Sequence, residues 1–580
     1  MTNPDRLDSQ GGVSCPVCRG SVPPGRELRV SGFWTCPRCG FSWARPEEES
    51  PARYKLHPKG ETGPDYRRFL LENFDRGLAL APGAGRVLDW GCGAETLSLK
   101  LLRERGLAAE GWDPLCPGSV LPDSPEVRQS FDLVFCLEAA GYFADPPEEF
   151  SRLASWLKPG GLAVIHTPLA PAGPEELARW RHIRERPCLS FYSKKALAIL
   201  AASACLRWEG MEETPQGARF FFRRPLPVLA AGGVTLDLEG QSDKPLVPGD
   251  SNPGRVRMAA GGVGRNMAEN LCRLGLEVEF VSALGRDFFG TFILKSCQKA
   301  GLGTAGVRKF KNESSPIYLS LLDDHHDMAL ALSGMSLFDR FDASQALAGV
   351  DRAESAARKR SFCPGGGPPF SALLLDGNLL PPAALAVRRR FPGLTAWMDP
   401  VSGSKGRRAA AYREGELLRE LDVIKPNGLE VFAMIGAAPG PSPGLSPELL
   451  KAGRILLNRG PRRIYISLGE EGVARLESSK TAEAPGAPLV FKSPGAPLGP
   501  RIISATGAGD ALTAGLLFHS LIREGSFLAA GAGEDLITGS AAAAFALASP
   551  QAVSEKLNPG ELITLILKWE ESAENFRGIF

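Results

Sequence analysis

The chain has 580 residues; 43% are hydrophobic and 23% charged, with 67 basic residues against 65 acidic ones. A single small module and a disordered chain are excluded, and the near-zero balance gives nucleic acid or an anionic membrane no broad electrostatic hold. At about 100–200 residues per domain, three or four domains are expected, with the 66 Gly and 48 Pro concentrated in turns and connections.

No run of about 18 apolar residues occurs, so no membrane partner is expected. Met1-Thr2-Asn3-Pro4-Asp5-Arg6 lacks a basic start followed by an apolar stretch. A cytoplasmic protein is the expectation. The 12 cysteines agree: four form two C-x-x-C pairs near the start, and the rest are scattered as thiols in a reducing compartment would be.

Residues 1–50 hold those pairs. Cys15-Pro-Val-Cys18 and Cys36-Pro-Arg-Cys39 are separated by 17 residues, which fits the spacing of a zinc ribbon. Each pair forms a knuckle offering two thiolates, and two knuckles complete a tetrahedron. So short a segment has little core, and Zn²⁺ can supply its stability. Four ordinary thiols or a redox pair are the competing readings, the latter without a β-α-β context.

Residues 51–225 alternate strand, turn and helix: strand 86–90, helix 95–105, strand 131–136 and strand 162–167. Asp89-Trp90-Gly91-Cys92-Gly93 runs a strand into a Gly turn, where backbone N–H groups can approach a ligand. Asp113 ends the next strand about 20 residues on, where a carboxylate can accept ribose hydroxyls. A G-x-G turn alone would also fit a dinucleotide-linked oxidoreductase. With Phe131-Asp132-Leu133-Val134 and Leu157-Lys158-Pro159-Gly160-Gly161, and with Arg53–His57 and Tyr66–Leu70 behind the knuckles, the series resembles class I S-adenosylmethionine (SAM)-dependent methyltransferases with a zinc-binding N-terminus. The resemblance implies that Asp89, Gly91, Gly93 and Asp113 bind SAM. It does not name the methyl acceptor. Glu95 stands at the place of a third glycine, the segment near Gly141-Tyr142 is altered, and Cys188 stands where the subgroup often has His. These departures bear on activity rather than fold. Tyr142 and His166 are expected at strand ends, either beside a substrate or as ordinary surface or core residues.

A boundary is expected at Arg223-Arg224-Pro225-Leu226-Pro227, and a second α/β series fills residues 226–580. It opens with strand 228–232. Three Pro/Gly-rich interruptions, at 363–369, 437–447 and 484–500, read as surface loops or insertions. Ala505-Thr506-Gly507-Ala508-Gly509-Asp510 leads into a long helix. Gly507, Ala508 and Gly509 would form an anion hole, and Asp510 on the first turn could take a proton from a hydroxyl. The bland alternative is a carboxylate that merely favours the helix dipole. Gly261-Gly262-Val263-Gly264-Arg265-Asn266 is a second Gly turn into a helix. Asp237 follows the first strand, Lys425-Pro426-Asn427-Gly428-Leu429-Glu430 offers an amide and a carboxylate suited to Mg²⁺, and Gly469 follows a later strand.

The order of these pieces resembles the ribokinase-like (PfkB) carbohydrate kinases, and Ser251–Gly254, Asp376–Leu379, Asp399–Ser402 and Lys405 resemble the pseudouridine kinases among them. The resemblance implies an α/β sandwich with a small β lid, with lid strands at 316–322 and 328–333 whose turn carries His325 and His326. It implies Asp237, Gly262 and Asn266 at the nucleoside or sugar, Asn427, Glu430 and Gly469 at ATP and Mg²⁺, and Asp510 as base. A homodimer through the lid and a separate glycosidase acting on the phosphorylated product are the expected partners. The expected whole is a bifunctional kinase and methyltransferase. The alternative is a kinase for another ribose-containing substrate carrying the methyltransferase-like domain as a binding or assembly module.

Overall fold

A computed structural model describes residues 13–22, 27–28, 33–44, 64–93, 97–113, 127–184, 188–439, 444–478, 489–493, 502–523 and 533–577 of the chain. The first large sheet has six strands, in the order Arg207–Thr214, Gly217–Arg223, Leu157–Thr167, Phe131–Leu137, Arg86–Trp90, Ala108–Trp112. The last four are parallel, and Gly217–Arg223 is antiparallel to both its neighbours. Phe131–Leu137 is buried throughout, and so reads as a near-continuous apolar run. Arg86–Trp90 lies between Ala108–Trp112 and Phe131–Leu137, so successive crossovers leave it in opposite directions. Open α/β sheets bind ligands beyond the carboxyl end of such a switch point, and Gly91 sits there.

Strand Leu157–Thr167 starts five residues before the expected position. A register shift against Phe131–Leu133 absorbs the Lys158–Gly161 turn into the strand. The expected helix 95–105 is described as Leu97–Glu104. Glu95 and the segment 53–57 lie outside the described residues.

The second large sheet has eight strands, in the order Val278–Val281, Val228–Ala231, Ala372–Asp376, Thr395–Asp399, Val423–Ile424, Arg463–Ser467, Val473–Glu477, Leu489–Ser493. The first six are parallel, and Val473–Glu477 is antiparallel to both its neighbours. Leu489–Ser493 places an edge strand inside the interruption at 484–500, which the sequence marks only as a surface loop or insertion. Its five residues are too few to show a period between flanking prolines, and pairing with Val473–Glu477 defines them as an edge strand.

Four further strands form a lid in the order Gly254–Gly261, Thr235–Ser242, Ile317–Leu322, Met328–Gly334. The hairpin lies within a residue of its expected place. Cross-strand register aligns Met258, Leu238, Leu319 and Leu332 in one row and Val256, Gly240, Leu321 and Leu330 in the next. Val256 is 77% exposed, Leu330 58% and Leu332 59%. Among the described residues no helix is long and apolar enough to cross a membrane.

The two halves are closely docked. Glu277 pairs with Arg224 and with Arg360, each at 2.8 Å, and accepts from Gln129 Nε2 at 2.8 Å. The Phe362 N–H donates to the Pro159 carbonyl at 2.8 Å. Helix Lys194–Ser203 packs on helix Pro559–Arg577, and strand Arg207–Thr214 on the π-helical turn His519–Arg523. One apolar core runs through the knuckles, the six-stranded sheet and part of the eight-stranded one.

Candidate active site

Helix Ala508–Phe518 begins after Gly507, whose φ is 80°. A side chain at Gly507 would overlap the Ala552 backbone. Glycine is therefore required twice, for conformation and for space. Asp510 lies on the first helical turn and is 8% exposed. The Asn266 amide, from helix Val263–Arg273, donates to its Oδ2 at 2.9 Å. The helix over Asn266 is capped by Gly262 at φ 95°. Thus two residues 244 positions apart meet at the head of one helix. Burial, then the charge of Asp399, pushes the Asp510 carboxyl up to about 7, a value suited to a base at neutral pH.

Asp237 stands apart on lid strand Thr235–Ser242. Its carboxylate accepts from the Thr235 hydroxyl at 2.6 Å and backs onto Gly261, where a side chain would collide with it. Burial raises its pKa. Asn427 and Glu430 bond to one another: the Asn427 N–H donates to Glu430 Oε2 at 2.8 Å, and the Glu430 N–H donates to Asn427 Oδ1 at 2.9 Å. This is a capping box on helix Gly428–Ile435. It engages the single oxygen of Asn427 and one oxygen of Glu430 and orders both side chains, so Glu430 Oε1 is the carboxylate oxygen the pair can offer to a hydrated Mg²⁺. Gly469, with φ 62°, opens the short turn after strand Arg463–Ser467, whose Ser467 bridges to Asn427.

Two residues quoted in the motifs but given no role join the site. Asp399 ends strand Thr395–Asp399 and pairs with Lys425 at 2.8 Å, both being buried. Asp376 ends strand Ala372–Asp376 and accepts three N–H bonds, from Gly233, from the Asn378 backbone and from its side chain, each at 2.9 Å. The legible signal was a carboxylate closing an otherwise apolar strand, as in Ala372-Leu-Leu-Leu-Asp376 and Thr395-Ala-Trp-Met-Asp399.

In the first half, Gly91 and Gly93 adopt φ of 79° and 67°. The Gly91 N–H donates to the Trp112 carbonyl at 2.6 Å, and the Gly93 N–H to Asp113 Oδ2 at 2.9 Å. Asp89 is buried and accepts from the Ser98 hydroxyl. The four residues expected at SAM are therefore one linked turn, with one Asp113 oxygen committed to it. The Gly141 and Cys188 segments adjoin, through the Leu189 N–H on the Gly141 carbonyl at 2.7 Å. Tyr142 is half-buried on a 3₁₀ turn. His166 is not at the surface. It is fully buried, bonds to the Thr214 hydroxyl at 2.9 Å and meets Phe69 edge-on. Burial pushes it down to about 4, which makes it a neutral core histidine.

The knuckles repeat one geometry. The carbonyls of Cys15 and Cys36 accept from Arg19 and Gly40, four residues on, both with left-handed φ. Cys15 Sγ is 3.7 Å from Cys39 Sγ, and Cys18 Sγ is 3.4 Å from Cys36 Sγ; all four sulfurs lie within 4.8 Å. Bonds of about 2.3 Å to a central Zn²⁺ give tetrahedral edges of roughly 3.8 Å, so the donors fit that ion. Burial raises the Cys15 thiol, and four buried thiolates need a cation to coexist.

Comparison with known proteins follows this division. The model of the pfkB family of carbohydrate kinases matches residues 227–557, more than half of the chain, and a methyltransferase domain model matches residues 64–204. The chain belongs to the pfkB carbohydrate kinase family and carries a methyltransferase domain and a zinc-ribbon-like cysteine cluster at its N-terminal side. It is 28% identical over 291 residues to the pseudouridine kinase of Escherichia coli (strain K12), covering 50% of this chain and 82% of that one. It is 25% identical over 260 residues to the pseudouridine kinase of Arabidopsis thaliana, covering 42% of this chain and 62% of that one. Among solved structures, Arabidopsis thaliana ribokinase complexed with ribose and ATP is similar at 17% identity, with a TM-score of 0.45 over 59% of this chain and 98% of that one.

Proposed function

We propose that residues 226–580 form an ATP-dependent kinase that phosphorylates pseudouridine, or a similar nucleoside or sugar, at its 5′-hydroxyl. Residues 1–50 are then a zinc ribbon and residues 51–225 a SAM-dependent methyltransferase domain. The observation that carries the kinase reading is the Asn266–Asp510 bond at the head of the helix that Gly507–Gly509 begin. Similarity to two pseudouridine kinases supports the substrate.

In this reading Asp237 and Asn266 orient the ribose, with Gly262 giving it room. Asp510 accepts the proton of the 5′-hydroxyl as that oxygen bonds to the γ-phosphorus. The bond from phosphorus to the bridging oxygen of ADP breaks, and ADP leaves. The N–H groups of Gly507, Ala508 and Gly509 hold the transferring charge. Asn427 and Glu430 would hold Mg²⁺, which when bound neutralises phosphate charge, and Gly469 would line the ATP side. Positioning and charge stabilisation supply most of such a reaction. ADP release from pseudouridine, uridine, adenosine and ribose tests the substrate. Pseudouridine is expected to give the highest kcat/KM, and faster turnover of any other compound overturns the assignment.

A second reading has a specific motive. One oxygen of Asp113 is committed to Gly93, and the methyltransferase domain shares an apolar core with the kinase. A binding and assembly module would show both features. We expect SAM to bind the intact protein in calorimetry; an absence of binding heat would assign the module role and remove methyl transfer.

The lid bears on assembly. Its two rows of open Leu, Met and Val side chains form an apolar sheet face of the kind that covers a partner. A second copy of the chain is the proposed occupant, and a separate glycosidase would act on the phosphorylated product. Leu330→Asp is expected to convert dimer to monomer in sedimentation velocity. A wild-type protein that sediments as a monomer would end this proposal.

A further inference from the structure

The kinase site holds more buried charge than the proposed reaction uses. Asp376, Asp399 and Asp510 are all less than 9% exposed. Asp376 is satisfied by its three N–H donors, and Asp510 by the Asn266 amide. Asp399 accepts from the Val401 N–H at 2.8 Å and holds Lys425 at 2.8 Å. Lys425 is itself 6% exposed, so its ammonium has given up most of its hydration. Its Nζ lies only 3.3 Å from the position a side chain would take on Gly509, inside the Gly507–Gly509 turn. The pair is thus wedged between the end of a central strand and the turn that bears Asp510.

The charges facing Asp510 come from several elements. Asp399 and Asp376 close neighbouring strands, and Lys425 follows the next strand. Lys405, bonded to the Asn378 side chain, acts on Asp376, and Glu430 acts on both Lys425 and Asp399. Lys425 is the cation placed between these carboxylates and the Gly turn. An opposite charge within about 4–6 Å favours ionisation of a carboxyl, and a like charge opposes it. Two carboxylates beside a third, with no cation between them, would keep one proton at neutral pH.

We infer that Lys425, pinned by Asp399, is a positioning residue for phosphoryl transfer: it offsets the neighbouring carboxylates so that Asp510 is available as a base, and it braces the turn at Gly509. The inference rests on the proposed role of Asp510. It explains why a lysine should be buried here at all, since a buried ion pair is a weak source of stability compared with apolar packing.

The test uses the intact protein with saturating ATP and Mg²⁺ and follows kcat/KM for pseudouridine against pH. Lys425→Met is expected to raise the midpoint of the acid limb by about one unit, with activity partly recovered at high pH. Asp399→Asn removes a facing carboxylate and frees Lys425 toward Asp510, so it is expected to lower the midpoint. The double variant is expected to return toward the wild-type midpoint. A merely structural pair would lower activity evenly at all pH values. Midpoints that do not move, or that move in the same direction in both single variants, overturn the inference. Should Lys425→Met fail to fold by thermal melt, the shift in Asp399→Asn decides alone. Asp510→Asn separates the two readings. If it retains the acid limb and turnover, the base assignment has failed; if it loses both while the other midpoints stay fixed, only the role of Lys425 has failed.

Discussion

Asp510→Asn is expected to lower kinase kcat by about a thousandfold and to raise the melting temperature of the unliganded protein at pH 8. The first effect is the loss of a general base, whose contribution is typically about 10²–10⁴-fold. The second follows from linkage. Burial and the facing Asp399 push the Asp510 carboxyl from 3.8 up to about 7 in the folded protein. The folded state therefore binds this proton more tightly than the unfolded state. The stability tied to it is fully present below about pH 4, and is lost as pH rises through about 7. Above that, the native protein carries an ionised carboxylate in a buried site. Asparagine has the same shape, can still accept the Asn266 amide, and has no charge to bury. The gain in melting temperature should shrink toward zero as pH falls to 5. For the wild-type enzyme, kcat/KM should decline below about pH 7 as Asp510 is protonated. An equal melting temperature for the two proteins at pH 8 would show that the site is better solvated than its geometry indicates.

The site was partly legible in the sequence because its pieces are local. Gly507–Asp510 and Gly261–Asn266 each encode a tight turn and the start of a helix, and such turns need particular residues at fixed offsets. That Asn266 reaches Asp510 is a fact of topology, since only the sheet order places the two helices together. Asp399 is marked only as a carboxylate closing a strand, and its partnership with Lys425 was not legible for the same reason. Each looks ordinary in its own segment, and their pairing across adjacent strands creates the buried charge. His166 resolves to the core residue of its two expected readings rather than to a group beside a substrate. A histidine at a strand end suggests chemistry, but register against Gly217–Arg223 and packing under Phe69 place it in the core. Periodicity also undervalued Leu489–Ser493, whose strand identity comes from its neighbour rather than from its own five residues.

What the sequence conceals most is the junction between the two halves, and the largest stability effect is expected there. Glu277→Ala should destabilise both halves together. Glu277 holds Arg224 from the methyltransferase side and Arg360 from the kinase side, and accepts from Gln129 as well. Arg224 is 15% exposed, and burial lowers its pKa. It also donates to the carbonyls of Ala154 and Leu157 at 3.1 and 2.6 Å, so it cannot swing out to water without breaking them. Removing the acid leaves two guanidinium groups facing each other in a poorly hydrated seam. Breaking a buried pair in this way costs about 3–5 kcal/mol, and the partial exposure here reduces it to roughly 2–3 kcal/mol. Arg360 keeps its contact with Glu279 at 2.6 Å, which limits the loss on the kinase side. Two probes read the outcome separately. Seven of the nine tryptophans lie before residue 226, so tryptophan emission follows mainly the first half, and protection by ATP follows the second. In Glu277→Ala both midpoints should fall by several degrees and stay coincident. Glu277→Gln, which can keep the hydrogen bonds but not the charge, should fall between. If emission shifts while ATP protection does not, the halves unfold independently, and the continuous core between them contributes less to cohesion than its extent implies.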